Sequence, residues 1–402
     1  MNVNMKVLSL LLPLLHSCWA SHPPRAQVPL LDNDNVDLTD SNHYSGIRTF
    51  ANLPHVDCFS NRDAKDHKYD IAILGAPHDT AGQALAMARL VSEPAASARD
   101  PNGASTLAHS PPSHTGPPSM LTSPKGRNPL ADWATVVDCG DAHLTWLDSR
   151  VSLQRLDKAH EVLAGRRAAN ASVSATPRIL THGGDHTTTL SALRSTSARW
   201  GPVSVIHFDS HIDTWDPAVL GGDISDYAAL NHGTFLHVAH EERLILDSSD
   251  HAGVRAPLVR RKGDLRNDAR CGFAVVTARD IDALGVQGVV SRIRERVGDS
   301  LVYISVDIHV LDPAFAPGTG TAEPGGWSTR ELLAILDGLE GLPAVGADVV
   351  EVAPAYDTKG EITALAAAEI AYSLVDLMVF RPVKSKADNG KSCEPSRQIA
   401  AR

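Results

Sequence analysis

The sequence predicts an α/β fold: a mostly parallel sheet with helices on both faces. Three observations predict it. Short runs rich in Val, Ile and Leu recur, each ending in or near Gly, Pro, Asp or His, as strands buried on both faces do. Longer helix-compatible stretches separate them, and such alternation implies parallel strands joined by crossovers. Aromatics make up only 5% of the chain against 43% hydrophobic residues, so the core is aliphatic. The 402 residues, 21% of them charged, exclude disorder, collagen and coiled coil and suffice for one large domain or two small ones.

In chain order, Lys6 precedes the apolar run Val7 to Leu15, and Ser17-Cys18-Trp19-Ala20 follows. This order reads as a signal peptide over residues 1–20, cut after Ala20, and predicts a secreted or secretory-pathway protein. No segment is expected to reach the roughly 20 apolar residues of a membrane span. Residues 21–61 are polar and turn-rich and read as an N-terminal arm. Strands are predicted at 71–74, 135–137, 178–180, 202–208, 273–276, 301–306 and 347–352, with helices at 153–169, 328–339 and 362–377 among them. Residues 100–128, centred on Pro-Pro-Ser-His-Thr-Gly-Pro-Pro-Ser, read as a long loop. No linker divides 62–383, which is taken as one catalytic domain, and 384–402 reads as a flexible polar tail.

Charge and cysteines narrow the class. With 37 Lys+Arg against 47 Asp+Glu, the net charge is −10, and no basic cluster interleaved with aromatics occurs, so nucleic acid is not an expected partner. Cleavage at Ala20 leaves Cys58, Cys139, Cys271 and Cys393, which could pair in three ways that spacing does not distinguish. Asn170-Ala171-Ser172 is a glycosylation sequon that suits an exported chain.

The chemistry concentrates where three apolar runs end. After 202–206 comes His207-Phe208-Asp209-Ser210-His211-Ile212-Asp213; in an extended segment Asp209, His211 and Asp213 share one side. The run 301–306 ends in Asp307-Ile308-His309, and 178–180 leads into Gly183-Gly184-Asp185-His186. Ligands of open parallel sheets bind beyond the carboxyl ends of the strands, where all these residues fall. Carboxylates this close stay ionised when a divalent cation compensates them. Carboxylate and imidazole without thiolate suit Mn, Fe, Ni, Co or Zn.

These residues resemble the ureohydrolase family of arginase and agmatinase, the fungal-type agmatinase-like hydrolases most closely. Gly183 to Thr187, Asp209 to Thr214, Ser305 to Pro313 and Ala316 to Thr321 carry the resemblance, supported by Asp138 to Asp141, Asn231 to Thr234 and Asp348 to Asp357. It spans 71–379. It implies the three-layer arginase-type fold, a small guanidino substrate such as agmatine or guanidinobutyrate, and a trimer or hexamer. It also implies two Mn(II) ions that share a hydroxide, which attacks the guanidinium carbon and yields an amine and urea. On this pattern His186, Asp209, Asp213 and Asp307 hold one metal, and His211, Asp209 and Asp307 the other. Glu351 matches the carboxylate that grips the guanidinium, and His232 the imidazole that delivers a proton to the leaving amine.

The chain departs from the family pattern at two places. His309 stands where the pattern has a metal-chelating Asp, so the site holds three carboxylates, with His309 as a further neutral ligand. Fewer anions and more imidazole favour Ni(II), Co(II) or Zn(II) over Mn(II). His78 stands where the family has Phe, and the block that usually follows is absent after Thr80. These departures frame two alternatives: a non-catalytic metal- or guanidine-binding relative, and a formiminoglutamase- or deacetylase-type hydrolase on the same fold.

Overall fold

Runs that alternate with helices and are apolar on both faces become strands only when neighbours cover both sides, and the sheet here is built that way. A computed structural model describes residues 49–79, 126–145, 147–221 and 228–389. The expected signal peptide, the start of the arm, residues 80–125 with most of the 100–128 loop, and Cys393 lie outside these residues. The strands are β1 (Ile71–Ala76), β2 (Val136–Asp141), β3 (Arg178–Gly183), β4 (Ser204–Phe208), β5 (Ser249–Val254), β6 (Phe273–Thr277), β7 (Val302–Asp307) and β8 (Ala344–Val350). They pair in the order β2-β1-β3-β8-β7-β4-β5-β6, every pair parallel. The last two strands therefore close the centre of the sheet, between β3 and β4.

Helices cover both faces. On one lie α1 (Ser149–Gly165), α2 (Thr188–Trp200) and α3 (Phe235–Glu241), which bury Leu153, Leu193 and Phe235. Helix α4 (Arg261–Arg270) packs beside β6. On the other face lie α5 (Asp280–Val297), α6 (Thr329–Gly338) and α7 (Ile362–Phe380), sharing a core with Ile304, Val306 and Val349. This is the three-layer α/β/α architecture that the sequence predicts. Helix α1 starts at Asp148, whose side chain accepts from the Arg150 and Val151 amides, and α6 starts at a Ser328–Glu331 capping box.

Strand β5, Ser249-Asp250-His251-Ala252-Gly253-Val254, was not expected because it lacks an apolar run. Two of its polar side chains are paired inside the sheet instead: Ser249 Oγ accepts from Val205 N–H at 3.0 Å and donates to Leu246 O at 2.8 Å, and His251 bonds His207 and Asp268. Helix α7, with 19 residues and a mean hydropathy of 1.7, is long and apolar enough to cross a membrane, although no such segment was expected. Most of it is buried against β3, β8 and α6. Its Asp376 takes a two-pronged pair from Arg127, with Nε–Oδ1 and Nη2–Oδ2 both at 2.7 Å, and Arg127 Nη2 also reaches Glu340. A long, largely apolar helix of this kind is a buried core helix of the fold.

Both ends of the domain are tied down. Cys58 and Cys139 form a disulfide with a Cα–Cα distance of 5.4 Å across 81 residues, and Cys271 is buried and free. The last part of the arm runs beside β2, with Val56 N–H donating to Asp138 O and Asp138 N–H to Pro54 O, each at 3.0 Å. The first residues of the expected tail are docked rather than free: Ser385 is fully buried, and Asp388 accepts from the amides of Ala175 and Ser385.

Candidate metal centre

The four central strands end side by side, and each delivers part of one cluster. Register pairs Ala76 with Gly183 on β1 and β3, His182 with Val349 on β3 and β8, Asp307 with Val350 on β7 and β8, and Phe208 with Val306 on β4 and β7. His186 lies just beyond β3, Glu351 just beyond β8, Asp307 at the end of β7 and Asp209 just beyond β4. Residues from 186 to 351 are thus gathered within a few ångströms. His186 Nδ1 stands 3.0 Å from Asp213 Oδ2, 3.1 Å from Asp307 Oδ2 and 3.7 Å from Asp209 Oδ2. His309 Nδ1 lies 2.7 Å from Asp307 Oδ1 and 4.0 Å from Asp209 Oδ1, and His211 Nδ1 lies 3.3 Å from Asp209 Oδ1.

Convergence does not arise from strand alternation, as the sequence reading assumed. Strand β4 stops at Phe208, and the chain then bends through 209–211. Asp213 adopts a left-handed φ of 50° that turns the chain back towards the cluster. Glu351 does the same with φ 63°. Side chains other than Gly enter this region at an expense of about 1–3 kcal/mol and do so mostly at functional sites. His309 sits in a short 3-10 turn, Ile308–Val310, where Asp307 Oδ1 accepts its amide at 2.7 Å.

Hydrogen bonds fix which nitrogen of each imidazole faces inward. Ser305 Oγ donates to Asp348 Oδ1 at 2.6 Å, so at 2.8 Å from His186 Nε2 it can only accept. Nε2 therefore carries a proton, and in the neutral ring, the form that binds a cation, Nδ1 turns a lone pair to three carboxylates. Thr319 Oγ1 likewise donates to Glu351 O at 2.7 Å and accepts from His309 Nε2 at 2.8 Å, leaving His309 Nδ1 as the inward lone pair. His186 Nδ1, His309 Nδ1 and Asp209 Oδ2 are buried without hydrogen-bond partners. Inward lone pairs among carboxylates are the chemistry of a cation site, and outer hydroxyls that fix each ring are the usual support of such ligands. Two groups have donor atoms within 4.8 Å of one another: His186, His207, Asp209 and Asp213; and Asp209, His211 and His309. The donor set fits divalent metal.

With no cation bound, the carboxylates draw positive charge onto the imidazoles, the charge that a metal ion would supply in its place. Burial opposes charge on His186, but Asp213 and Asp307 pull its pKa well above the ordinary value. Burial likewise opposes charge on His211, and Asp209 raises it to about 9. Burial would raise Asp307, but His309 and His186 hold it below the usual carboxylate range. Burial, with Asp307 and Asp185 nearby, pushes Glu351 well above its ordinary range. Its Oε1 accepts from the His186 amide at 2.7 Å, while Oε2 is buried without a partner.

His232 is placed less directly. It lies in the turn before α3, tied to the cluster's loop by Trp215 N–H to Gly233 O at 3.1 Å and Leu236 N–H to Asp213 O at 3.2 Å. Its half-buried ring has an Nδ1 without a partner and makes none of the contacts that join the other site residues. His78, the second departure from the family pattern, is buried with Nδ1 3.0 Å from Ser152 Oγ. Its carbonyl accepts from Asp185 N–H at 2.8 Å, and a Cβ on Gly184 would lie 1.7 Å from that oxygen. Thr319, Asp348 and Ser305 fall inside the motif blocks legible in the sequence, but nothing in the sequence assigns any of them a role. Their signal is a hydroxyl or carboxylate on a strand or turn flanking a ligand, which is too common to stand out.

A parallel sheet whose central strand ends hold imidazoles and carboxylates around a cation site, beside a buried carboxylate, defines a metal-dependent hydrolase of the arginase fold. The profile of the arginase family matches residues 104–376. A Schizosaccharomyces pombe protein bearing a provisional agmatinase name is 44% identical over 349 residues, covering 85% of this chain and 84% of that protein. Proclavaminate amidinohydrolase of Streptomyces clavuligerus is 37% identical, covering 85% of this chain and 96% of that one. Its solved structure superposes with a TM-score of 0.64 at 32% identity, over 84% of this chain and 99% of that one. The chain belongs to the arginase family. Within it, the chain is an agmatinase-like ureohydrolase, acting on C–N bonds of linear amidines.

Proposed function

We propose that this chain hydrolyses a linear guanidine, agmatine or guanidinobutyrate, to an amine and urea with two divalent ions. The observation that carries this is Glu351: one carboxylate oxygen is locked by the His186 amide, and the other is buried, free and beside the cluster. A cation beside it and a guanidinium at Oε2 both reverse the burial that keeps this group neutral, and the charge-assisted contact orients the guanidinium carbon. His186, Asp209, Asp213 and Asp307 would hold one ion, and Asp209, His211, Asp307 and His309 the other. Bound, such ions lower the pKa of water so that hydroxide is available near neutral pH. His232, with a free Nδ1 near the Asp213 loop, holds the proton for the departing amine. Mn(II) is the family's usual ion, and the His309 imidazole adds Ni(II), Co(II) or Zn(II) as candidates.

Export is part of the same proposal. A signal-peptide-like start, a buried Cys58–Cys139 disulfide and a sequon whose Ala171 and Ser172 are exposed support a secreted glycoprotein. The test of the activity is urea release by the purified chain, loaded with Mn(II) or Ni(II), from agmatine and guanidinobutyrate. Glu351→Gln keeps the shape but removes the charge, and kcat/KM should fall at least about 100-fold, ~2.7 kcal/mol. A folded, metal-loaded chain that releases no urea from either compound sinks this reading and leaves the non-catalytic one.

A further inference from the structure

Beneath the cluster, the strand register lines up polar side chains in a row. Asp348 on β8 pairs with Ser305 on β7, Ser305 with His207 on β4, and His207 with His251 on β5. Paired residues of a parallel sheet face the same side, so the row is continuous. Asp348 and Ser305 serve His186. The other half of the row, His207 and His251, is wholly buried and has no part in the ligand pattern that the family resemblance implies.

The proton positions of that half follow from its hydrogen bonds. Asp268 Oδ1 lies 2.9 Å from His251 Nε2 and accepts from Thr214 Oγ1 at 2.6 Å. A carboxylate can only accept, so His251 carries its proton on Nε2 and presents Nδ1 as an acceptor. His207 Nδ1, 2.8 Å from His251 Nδ1, is then the donor. This leaves His207 Nε2 as a bare lone pair. It has no hydrogen-bond partner, and it lies 3.5 Å from Asp209 Oδ2 and 4.0 Å from Asp213 Oδ2. A lone pair aimed at two carboxylates, with no hydrogen between them, is repulsive unless a cation lies where the three directions meet. His207 is in reach of that point, because its donor atom falls in one group with those of His186, Asp209 and Asp213.

We propose that His207 Nε2 is a ligand of the metal held by His186, Asp209 and Asp213, and that His251 and Asp268 are positioning residues that fix its tautomer through a His207–His251–Asp268 chain. The inference rests on the metal-site reading of the cluster. It makes the centre richer in imidazole than the motif spacing implies, and together with His309 it pulls metal choice towards Co(II), Ni(II) and Zn(II).

The test uses Co(II), whose visible absorption and paramagnetic shifts report its ligands, on the whole chain. In the wild type, ring N–H resonances shifted by bound Co(II) should include one beyond those of His186, His211 and His309, assigned to His207 Nδ1–H. His207→Phe, which keeps a ring against His186 and Phe235, should lose about 10-fold or more in affinity for one Co(II) equivalent and change the absorption of that ion only. Asp268→Asn, which lets His251 flip its proton, should weaken the same ion by about 10–100-fold. Urea release is not needed for any of these readouts. If the wild type binds no Co(II), both the metal reading and this inference fall. If it binds two ions while His207→Phe matches it in affinity and spectrum, or if the extra resonance is absent, the metal reading stands and His207 is only a core imidazole. Should His207→Phe fail to fold, the wild-type resonance decides.

Discussion

Ser305→Ala isolates what holds a ligand in place. Ser305 Oγ accepts from His186 Nε2 at 2.8 Å and donates to Asp348 Oδ1 at 2.6 Å, and all three groups are buried. Removing the hydroxyl leaves a buried N–H without an acceptor, a loss of about 1–3 kcal/mol in the stability of the metal-free chain. Asp348 keeps Tyr303 Oη and Thr189 Oγ1 on its Oδ2, each at 2.8 Å, so the damage centres on His186. With its outer nitrogen unanchored, His186 can rotate or change tautomer, and metal affinity should fall about 10–100-fold, ~1.4–2.7 kcal/mol. Competition titration with Mn(II) reads the affinity, and urea denaturation of the metal-free chain reads the stability. Thr189→Ala is the control: it takes a donor from Asp348 but not from His186, so stability should drop and metal affinity should hold. The reasoning is refuted if Ser305→Ala binds metal as tightly as wild type, or if Thr189→Ala weakens binding equally.

Three further outcomes are expected. His309→Asp restores a fourth carboxylate beside Asp307 and should raise Mn(II) affinity relative to Ni(II) by about 10-fold, ~1.4 kcal/mol; an unchanged ratio in paired titrations would show that His309 does not set metal choice. Gly184→Ala puts a methyl 1.7 Å from the His78 carbonyl oxygen, so the chain should lose about 4 kcal/mol or more in denaturant melts, and a loss below about 1 kcal/mol would mean that the His78 loop yields freely. Burial lowers His182 to about 4 and His160 to about 3. Because the unfolded chain binds these protons below about pH 6.5 while the fold refuses them, each weakens the fold as pH falls from about 6.5 to 4, by about 1.4 kcal/mol per pH unit. His182→Leu should remove that slope for one group, and an identical pH dependence of the denaturation midpoint would contradict it.

What the sequence determined by itself is the class of the fold and most of the candidate metal donors. Apolar runs such as 301–306 need cover on both faces wherever they go, and the residues at their ends are local to the strand, so Asp209, Asp213, His186 and Asp307 are legible from spacing. Helix 362–377 was legible as a helix, but not that it is a mostly buried core helix reaching Phe380. Strand β5 was not legible, because the pairing that makes Ser249 and His251 tolerable inside a sheet comes from β4 and α4. Nor could spacing say that a left-handed turn at Asp213, rather than strand alternation, brings its carboxylate to His186.

Only the tertiary structure decided how these groups act together. Strands β7 and β8 insert between β3 and β4, and that insertion sets Asp348 beside Ser305 and Ser305 beside His207. The His309 tautomer is set close by in the chain, at Thr319. The insertion decides that His186 keeps its proton on Nε2, since the hydroxyl that accepts it belongs to Ser305, 119 residues away in the chain, and no local pattern encodes that. The same holds for Cys58 and Cys139, whose pairing the cysteine spacing left open and the packing of the arm along β2 settles. Local chemistry supplied the donors; long-range pairing aimed them.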